Sequence, residues 1–389
     1  MHAFYYYFRP LAVLGKIFGA FPIENVLSCD PHKLRYKKLS FTFVYSLCLQ
    51  YGLLVLIQSL SGFQFQADTM PLKLLKYLVI FMVVRSLSSF TFSLFTHAHR
   101  MPRLIQLLDA FDVKKKDLLA LGNEWCLSTN VAVRIICPML FFVFFASTYA
   151  YASKNLIKQI YPASQSQKPF LFSAADYFGV LCSWHVLPSL YFIIFSSIIS
   201  KNYKHINETL IEKKCTGNYY KIDAIQKIDG TMEDTIGQMR VLHNMLSEAT
   251  VQLNKCYGSF MAIEKIFMCS AVVINVSLYV SENHHFVELI TVTTLNLAVF
   301  VSTLLVASKL KKRGAKVARL FQGIPLSTLS EKSRNEVQLW LLQLSVHPVH
   351  VNAAGYFILD KTQTFEVLSS IATYLIVAVQ LLEDQKTTV

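Results

Sequence analysis

The residues of this chain whose types and spacing suggest chemistry lie on one face of its last hydrophobic segment. Six residues there recur at steps of three or four and therefore share one side of a helix: Glu366, Ser370, Thr373, Val377, Gln380 and Asp384. The other faces carry mainly Leu, Ile, Ala and Val. Because lipid offers polar groups no hydrogen bonds, such a face is stable at membrane depth only against water or another protein surface.

Two arrangements satisfy this polar face. One helix cannot enclose water, but several copies can, and a ring with the polar faces inward is a pore. Acidic groups at both mouths of that pore would favour cations. Alternatively, the face packs against other helices of the same chain. The spacing alone does not choose between the two.

Other residue groups that could bind a metal or catalyse a reaction are incomplete or missing in this sequence. His284-His285 and the pair His347 and His350 lack the Cys or carboxylate partners that a zinc site needs. No phosphate-binding glycine loop, nucleophile elbow or zinc-protease motif occurs. We therefore expect no enzyme activity, no metal site and no cofactor.

The composition predicts a membrane protein around this last segment. Of the 389 residues, 53% are hydrophobic and only 16% are charged, against about 25% charged residues in soluble domains. A bilayer core requires roughly 20 apolar residues per spanning helix. Seven hydrophobic runs approach or exceed this length: 39–63, 74–96, 131–153, 177–200, 257–280, 289–308 and 362–382. The sequence thus predicts an all-α, polytopic protein whose first partner is the lipid bilayer.

The basic residues give the orientation of these spans. Of 37 Lys and Arg residues, 28 lie in the N-terminal segment and in every second connecting segment after it, and six lie on the other side. By the positive-inside rule the N-terminus is cytosolic, and an odd number of spans makes the C-terminus extracellular. This asymmetry accounts for the net charge of +13 without a nucleic-acid partner. All eight cysteines fall in spans or cytosolic segments, where thiols stay reduced.

Seven regions follow from this topology. The cytosolic ones are an N-terminal segment, a helical extension and an anchor-helix region, at residues 1–38, 201–256 and 309–361. Spans one to four, spans five and six, the seventh span and the extracellular tail occupy residues 39–200, 257–308, 362–382 and 383–389.

Two amphipathic helices are predicted on the cytosolic side. Asp229-Gly230 marks a break, and Thr231 with Asp234 resembles a capping box at the start of the first helix. Its apolar stripe recurs at steps of three and four and continues towards the fifth span: Met232, Ile236, Met239, Leu242, Leu246, Ala249 and Leu253. The second helix covers residues 331–345, with one side formed by Val337, Trp340, Leu341 and Leu344. The two stripes pack against each other or between subunits.

The last span resembles the C-terminal signature of insect gustatory receptors. Thr373-Tyr374 is followed by five hydrophobic residues and then by Gln380-Leu381, and the stretch 353–360 resembles the family's upstream segment at the usual distance. Leu381 stands where the family usually has Phe. The resemblance implies the seven-helix insect chemoreceptor fold. It also implies a homotetramer or heterotetramer with other gustatory receptors, in which the last helices form a cation channel opened by a small-molecule tastant in sensory neurons.

The resemblance also implies site residues. Gln380, Val377 and Leu381 would form the gate near the outer mouth, with Thr373, Ser370 and Glu366 further in. A ligand pocket would lie among the earlier spans, where the outer halves supply aromatic and hydrogen-bonding candidates: Asp176, Tyr177, Trp184, His185, Tyr149, Tyr151, Asn275, Tyr279, Thr294 and Asn296. Trp184 and His185 are favoured because they lie deeper, although aromatic residues near interfaces often only form a membrane belt.

Three charges and one sequence departure refine these expectations. Arg85 lies mid-span, where an ion pair and the wall of a polar cavity are equally compatible with it, and an internal ion pair is favoured for Glu264 and Lys265. Leu375 stands where the sugar-receptor branch commonly carries Glu, which favours a bitter or other non-sugar tastant, although fructose-type receptors also have Leu. The alternative functions are a receptor that signals through a partner protein and a small-solute transporter.

Overall fold

Helices cover the described parts of the predicted hydrophobic runs, and further helices lie outside these runs. The computed structural model describes residues 3–28, 30–38, 40–61, 70–119, 140–148, 150–151, 185–216, 225–281, 287–322, 327 and 329–387. The helices are α1 Ala3–Ile17, α2 Phe41–Ser61, α3 Met70–Phe92, α4 Ala98–Leu119, α5 Val186–Thr216, α6 Ile225–Ser281, α7 Val287–Gly314, α8 Lys316–Gln322, α9 Glu331–Val346 and α10 Thr362–Thr387. A π-helical turn, Ser93–His97, joins α3 to α4.

The described helices cover the predicted spans to different extents. α2 and α3 cover the first two, the second half of α6 the fifth, α7 the sixth and α10 the seventh. The third span is described only at residues 140–148 and 150–151, which are helical, and the fourth from His185 onward. Two stretches of the described chain, Thr235–Ser277 and Ile290–Gln322, combine the length and apolar composition needed to cross a bilayer.

α6 is the helix around which the others pack. It has 57 residues, which at about 1.5 Å per residue give a rod of about 86 Å. It contacts α3, α4, α5, α7, α9 and α10. The predicted stripe is confirmed from Ile236 to Leu253, since its members are at most 2% exposed. The predicted break at Asp229-Gly230 is wrong, because α6 begins at Ile225 and continues through it; one interior Gly costs a helix only about 1 kcal/mol.

The two amphipathic helices that the sequence predicts on the cytosolic side pack against each other within one chain. Val337 and Trp340 of α9 are fully buried, and the Trp340 ring centroid lies 5.4 Å from that of His243 on α6. An ion pair joins Arg240 Nε of α6 to Glu336 Oε2 of α9 at 2.6 Å. At its start, α9 is capped by Ser330, whose hydroxyl accepts a hydrogen bond from the Ser333 amide.

The N-terminal segment contributes to the core rather than lying outside it. Tyr5 and Phe8 of α1 are buried, and the Tyr5 hydroxyl donates to the Val26 carbonyl at 2.7 Å. The Phe8 ring lies 6.0 Å from Tyr191 and 5.0 Å from Phe195, both on α5. α1 is therefore anchored to the bundle by aromatic packing.

The segment that leads into α10 lies directly on α6. It turns back through a bridge between Asn352 and Ile358, with positive φ at Ala354 and Gly355. A Cβ at Gly258 of α6 would come within 2.8 Å of the Ala354 nitrogen. Gly258 thus permits the backbone contact that sets where α10 begins.

Candidate functional site

A buried polar network links four of the predicted spans. Arg85 of α3 pairs with Glu264 of α6 through both Nε, at 3.3 Å, and Nη2. Its Nη1 donates to Asn296 Oδ1 of α7 at 3.0 Å. The same oxygen lies 2.8 Å from His185 Nε2, at the start of α5. Because an amide oxygen only accepts, the His185 ring must carry a proton on Nε2.

This network settles the alternatives for the charged residues within the spans. The side chains of Arg85 and Glu264 are 5% and 6% exposed, so Arg85 belongs to a buried ion pair. The favoured internal pair of Glu264 and Lys265 is wrong. Neighbouring residues on a helix point about 100° apart, and Lys265 turns instead to α10, where its Nζ lies 3.7 Å from Glu366 Oε2.

Two of the predicted ligand residues belong to this network. His185 and Asn296 are buried and in contact, and the His185 ring also packs on Phe145 at a centroid distance of 6.0 Å. The side-chain Nδ2 of Asn296 donates a hydrogen bond to the Val292 carbonyl of its own helix at 2.8 Å. These two residues therefore meet where α3, α5, α6 and α7 converge.

The three other ligand candidates with described side chains, Asn275, Thr294 and Tyr151, make no hydrogen bond with this network. Asn275 of α6 donates to Thr293 Oγ1 of α7 at 2.5 Å, while Thr294 and Tyr151 are exposed on the subunit surface. The Tyr279 side chain lies outside the described residues, as do Tyr149, Asp176, Tyr177 and Trp184.

Most of the polar stripe of α10 is not covered by the described residues of the subunit. Thr373, Val377 and Gln380 are exposed, as is Glu366, and Ser370 is half-buried. The face that is buried against the bundle, through Gln363, Val367 and Ile371, lies about 100° around the helix from the stripe. The Ser370 and Thr373 hydroxyls donate to the carbonyls of Glu366 and Ser369, at 2.9 and 3.0 Å. At Thr373, Val377 and Gln380 the stripe is therefore not packed against other described helices of the same chain, whereas Glu366 lies near Lys265 of α6. The side chains of Leu381 and Asp384 lie outside the described residues.

Two lysines attach the start of α10 to the bundle. Lys265 of α6 donates to Gln363 Oε1 at 2.5 Å, and its Nζ lies 4.4 Å from the Phe357 ring centroid. Lys311 at the end of α7 donates to Asp360 Oδ2 at 2.9 Å. Burial alone would raise the pKa of Asp360, but hydrogen bonds from Thr362 and Lys311 hold it below its ordinary value. A shift of either α6 or α7 therefore acts on the same end of α10.

Comparisons with known proteins give the family. The family model for 7tm chemosensory receptors matches residues 8–381. The chain belongs to the 7tm chemosensory receptor family. Its fold is similar to that of the insect olfactory receptor OR5 from Machilis hrabei, with a TM-score of 0.65 at 15% identity for the complex with eugenol. The structure of OR5 described without eugenol gives 0.66 at 13%. Each match covers 96% of this chain and 97% of the other.

The match confirms the fold of this chemoreceptor. It is an all-helical protein with the seven-transmembrane insect chemoreceptor fold, and it is a multi-pass membrane receptor rather than an enzyme. A comparison with curated protein sequences finds no match.

The sequence did not reveal which residues the candidate site residues of this chemoreceptor contact. It singled out Arg85, Glu264, His185 and Asn296 separately, and the helix crossing that joins them has no sequence signal. It also treated Glu366 only as a pore-mouth acid, although Lys265 Nζ of the same subunit lies nearby. The isolated charges within apolar runs were the one usable clue, because such a charge requires a partner.

Proposed function

We propose that this chemoreceptor is a gustatory receptor, a ligand-gated and non-selective cation channel of the plasma membrane of sensory neurons. Four subunits, identical or from different gustatory receptors, each supply α10 to a central pore. A small-molecule tastant opens it. A bitter or other non-sugar compound is favoured by Leu375, and a sugar such as fructose is the second candidate.

One observation carries this proposal: the exposed stripe of α10. Its four exposed or half-exposed members with a polar side chain are Glu366, Ser370, Thr373 and Gln380. A polar surface at membrane depth that is uncovered within its own subunit requires water or another subunit, and a ring of α10 helices supplies both. The gate would lie at Val377, Gln380 and Leu381, with Thr373, Ser370 and Glu366 towards the cytosolic mouth.

The network around Asn296 supports a ligand pocket among the earlier spans. His185 and Asn296 bring bonded polar side chains together between α5 and α7, and the Phe145 ring packs against His185. Small-molecule sites combine apolar walls with a few such polar groups. The Machilis hrabei receptor was determined in complex with eugenol, so a protein of this fold accommodates a small aromatic molecule. Tyr151, Asn275, Tyr279 and Thr294 remain candidates, as do Tyr149, Asp176, Tyr177 and Trp184.

The route from pocket to pore follows the described contacts. Asn296 and Arg85 connect the pocket to Glu264 on α6. One residue further, Lys265 connects α6 to α10 through Gln363. A ligand that shifts α7 or α3 against α6 would therefore displace the start of the pore helix.

Recording from cells that express the chain alone tests the proposal. Currents evoked by a tastant panel should persist when G-protein signalling is blocked with an inhibitory guanine nucleotide in the pipette. They should reverse near zero potential in mixed Na⁺ and K⁺, as a non-selective cation pore requires. Currents abolished by the block would instead indicate signalling through a partner protein, and substrate-coupled fluxes with fixed stoichiometry would indicate a transporter.

A further inference from the structure

A cavity lies between α4, α6 and the segment that precedes α10. Its volume is about 490 Å³, within the range of small-molecule sites and more than tenfold the roughly 30 Å³ that one water molecule occupies. Neither the predicted ligand pocket nor the α10 stripe contributes to its lining. It belongs to the side of the receptor that the basic residues predict to be cytosolic.

The lining of this cavity has one sign of charge. Four basic residues contribute to it, namely Arg100, Lys255, His347 and His350, and none of the described lining residues is acidic. Hydroxyl and amide groups complete the polar surface, including those of Ser247, Asn254 and Asn352. Guanidinium groups of Arg, ammonium groups of Lys and neutral N–H or O–H donors are the groups that proteins use to bind phosphate oxygens.

Hydrogen bonds fix the walls relative to one another. Arg100 Nη1 of α4 donates to the Lys255 carbonyl of α6, and Gln252 Nε2 donates to the Arg100 carbonyl at 3.0 Å. Asn254 Nδ2 donates to the His350 carbonyl at 3.0 Å, and its Oδ1 accepts from the Asn352 amide at 3.3 Å. The cavity is therefore built from three segments held in register.

The described part of the chain does not neutralise the two fixed cations of the cavity. No carboxylate of the described residues lies within ion-pair distance of Arg100 or Lys255. Arg103, one turn further along α4, differs, since its Nη2 lies 3.2 Å from Glu248 Oε1. Like charges brought together without counter-charges create a positive potential that attracts an anion.

We propose that this cavity binds a polyol carrying more than one phosphate group, such as an inositol phosphate. Two separate cations and the large volume favour several phosphates over one inorganic ion. The group can come from a membrane lipid or from a soluble molecule. A lipid headgroup has access because Ser259, which also lines the cavity, lies just inside the predicted fifth span, and basic pockets on the cytosolic side hold such headgroups.

The position of the cavity gives the ligand a structural role. One wall is formed by residues from Val346 to Ala354, the segment that lies on Gly258 and leads into α10. A bound polyphosphate would join α4 and α6 to this segment. The proposal concerns binding alone and does not depend on channel activity.

Binding to purified full-length receptor in phosphatidylcholine nanodiscs tests the proposal. In the soluble arm, radiolabelled inositol trisphosphate is titrated; in the lipid arm, the nanodiscs contain phosphatidylinositol bisphosphate, and lipid retained on the protein is measured by native mass spectrometry. We expect saturable binding in at least one arm, and the arm that binds identifies the source. Inorganic phosphate should compete only weakly.

Charge-matched variants decide whether this cavity is the site. Arg100→Gln and Lys255→Gln should each weaken binding by about tenfold or more, since each removes a charge-assisted contact. Arg103→Gln, which lowers the net charge equally but lies outside the lining, should bind as the wild type does. Lys255 is exposed, so Lys255→Gln should fold normally. It therefore keeps the test valid if Arg100→Gln aggregates. Absence of saturable binding in both arms, unchanged affinity in Lys255→Gln, or an equal loss in Arg103→Gln would overturn the proposal.

Discussion

Arg85 and Glu264 form an ion pair whose side chains are 5% and 6% exposed, between α3 and α6. Nη1 of Arg85 is also satisfied by Asn296 of α7, so one guanidinium holds three helices together. A charge of this kind within an apolar span is stable only with its partner present. The pair therefore specifies how these helices cross.

Removing one member of the pair should destabilise the receptor strongly. Arg85→Met or Glu264→Met leaves an uncompensated buried charge, which costs about 3–5 kcal/mol. We expect both single variants to lose most surface expression and to show a lower Tm in detergent by fluorescence-detected size exclusion. The double variant Arg85→Met with Glu264→Met should recover a large part of both. Single variants with wild-type Tm would contradict the pairing.

The contact between Lys265 and α10 should affect gating more than stability. Its ion pair with Glu366 is partly exposed, and such pairs contribute about 0–1 kcal/mol. We expect Lys265→Met to keep the Tm within a few degrees and to shift the dose–response curve or the resting leak. Lys311→Met, which removes the contact with Asp360 on the α7 side, is the matched comparison. If both variants gate as the wild type does, these contacts do not transmit the ligand signal.

His243 should make the packing of α6 against α9 sensitive to acid. It is buried between the Tyr203 and Trp340 rings, and burial lowers its pKa to about 4, although its hydrogen bond with the Gly314 carbonyl opposes this. Below its ordinary pKa of about 6.5 the unfolded chain binds a proton that the folded protein does not. Stability therefore falls as the pH drops from about 6.5 to 4, by up to about 3 kcal/mol.

Thermal melts at two pH values measure this effect. The Tm of the wild type should fall between pH 7.5 and pH 5 by more than that of His243→Gln, whichever variant is more stable at neutral pH. His347→Gln changes an exposed ring and should retain the wild-type difference. An identical Tm difference in His243→Gln would show that this ring does not carry the pH dependence.

The sequence predicts those parts of the fold whose residue pattern repeats along a helix. Apolar length and charge asymmetry predict the spans, and a spacing of three and four predicts the buried stripe from Ile236 to Leu253 on α6. Signals at a single residue were less reliable. Gly230 suggested a helix break, but α6 continues through it, since one interior Gly costs a helix only about 1 kcal/mol.

Contacts between residues that are distant along the chain could not be predicted from the sequence. The network of Arg85, Glu264, Asn296 and His185 depends on how α3, α5, α6 and α7 cross, which local periodicity does not encode. The same holds for the cavity at Arg100 and Lys255, since its residues come from three separate segments. The α10 stripe was readable because all its members lie on one helix, and the buried face at Val367 and Ile371 then shows which side remains uncovered.

Cysteine accessibility along α10 during current recording is the most direct test of the account. Single cysteines at Thr373, Val377 and Gln380, and at the buried position Ile371 as control, are treated with a charged thiol reagent in the presence of ligand. The wild type, which carries Cys48 and Cys269, must first be shown not to respond. We expect modification to block current at Thr373, Val377 and Gln380 but not at Ile371. Currents unchanged at all three stripe positions, or equally changed at Ile371, would contradict a pore lined by α10.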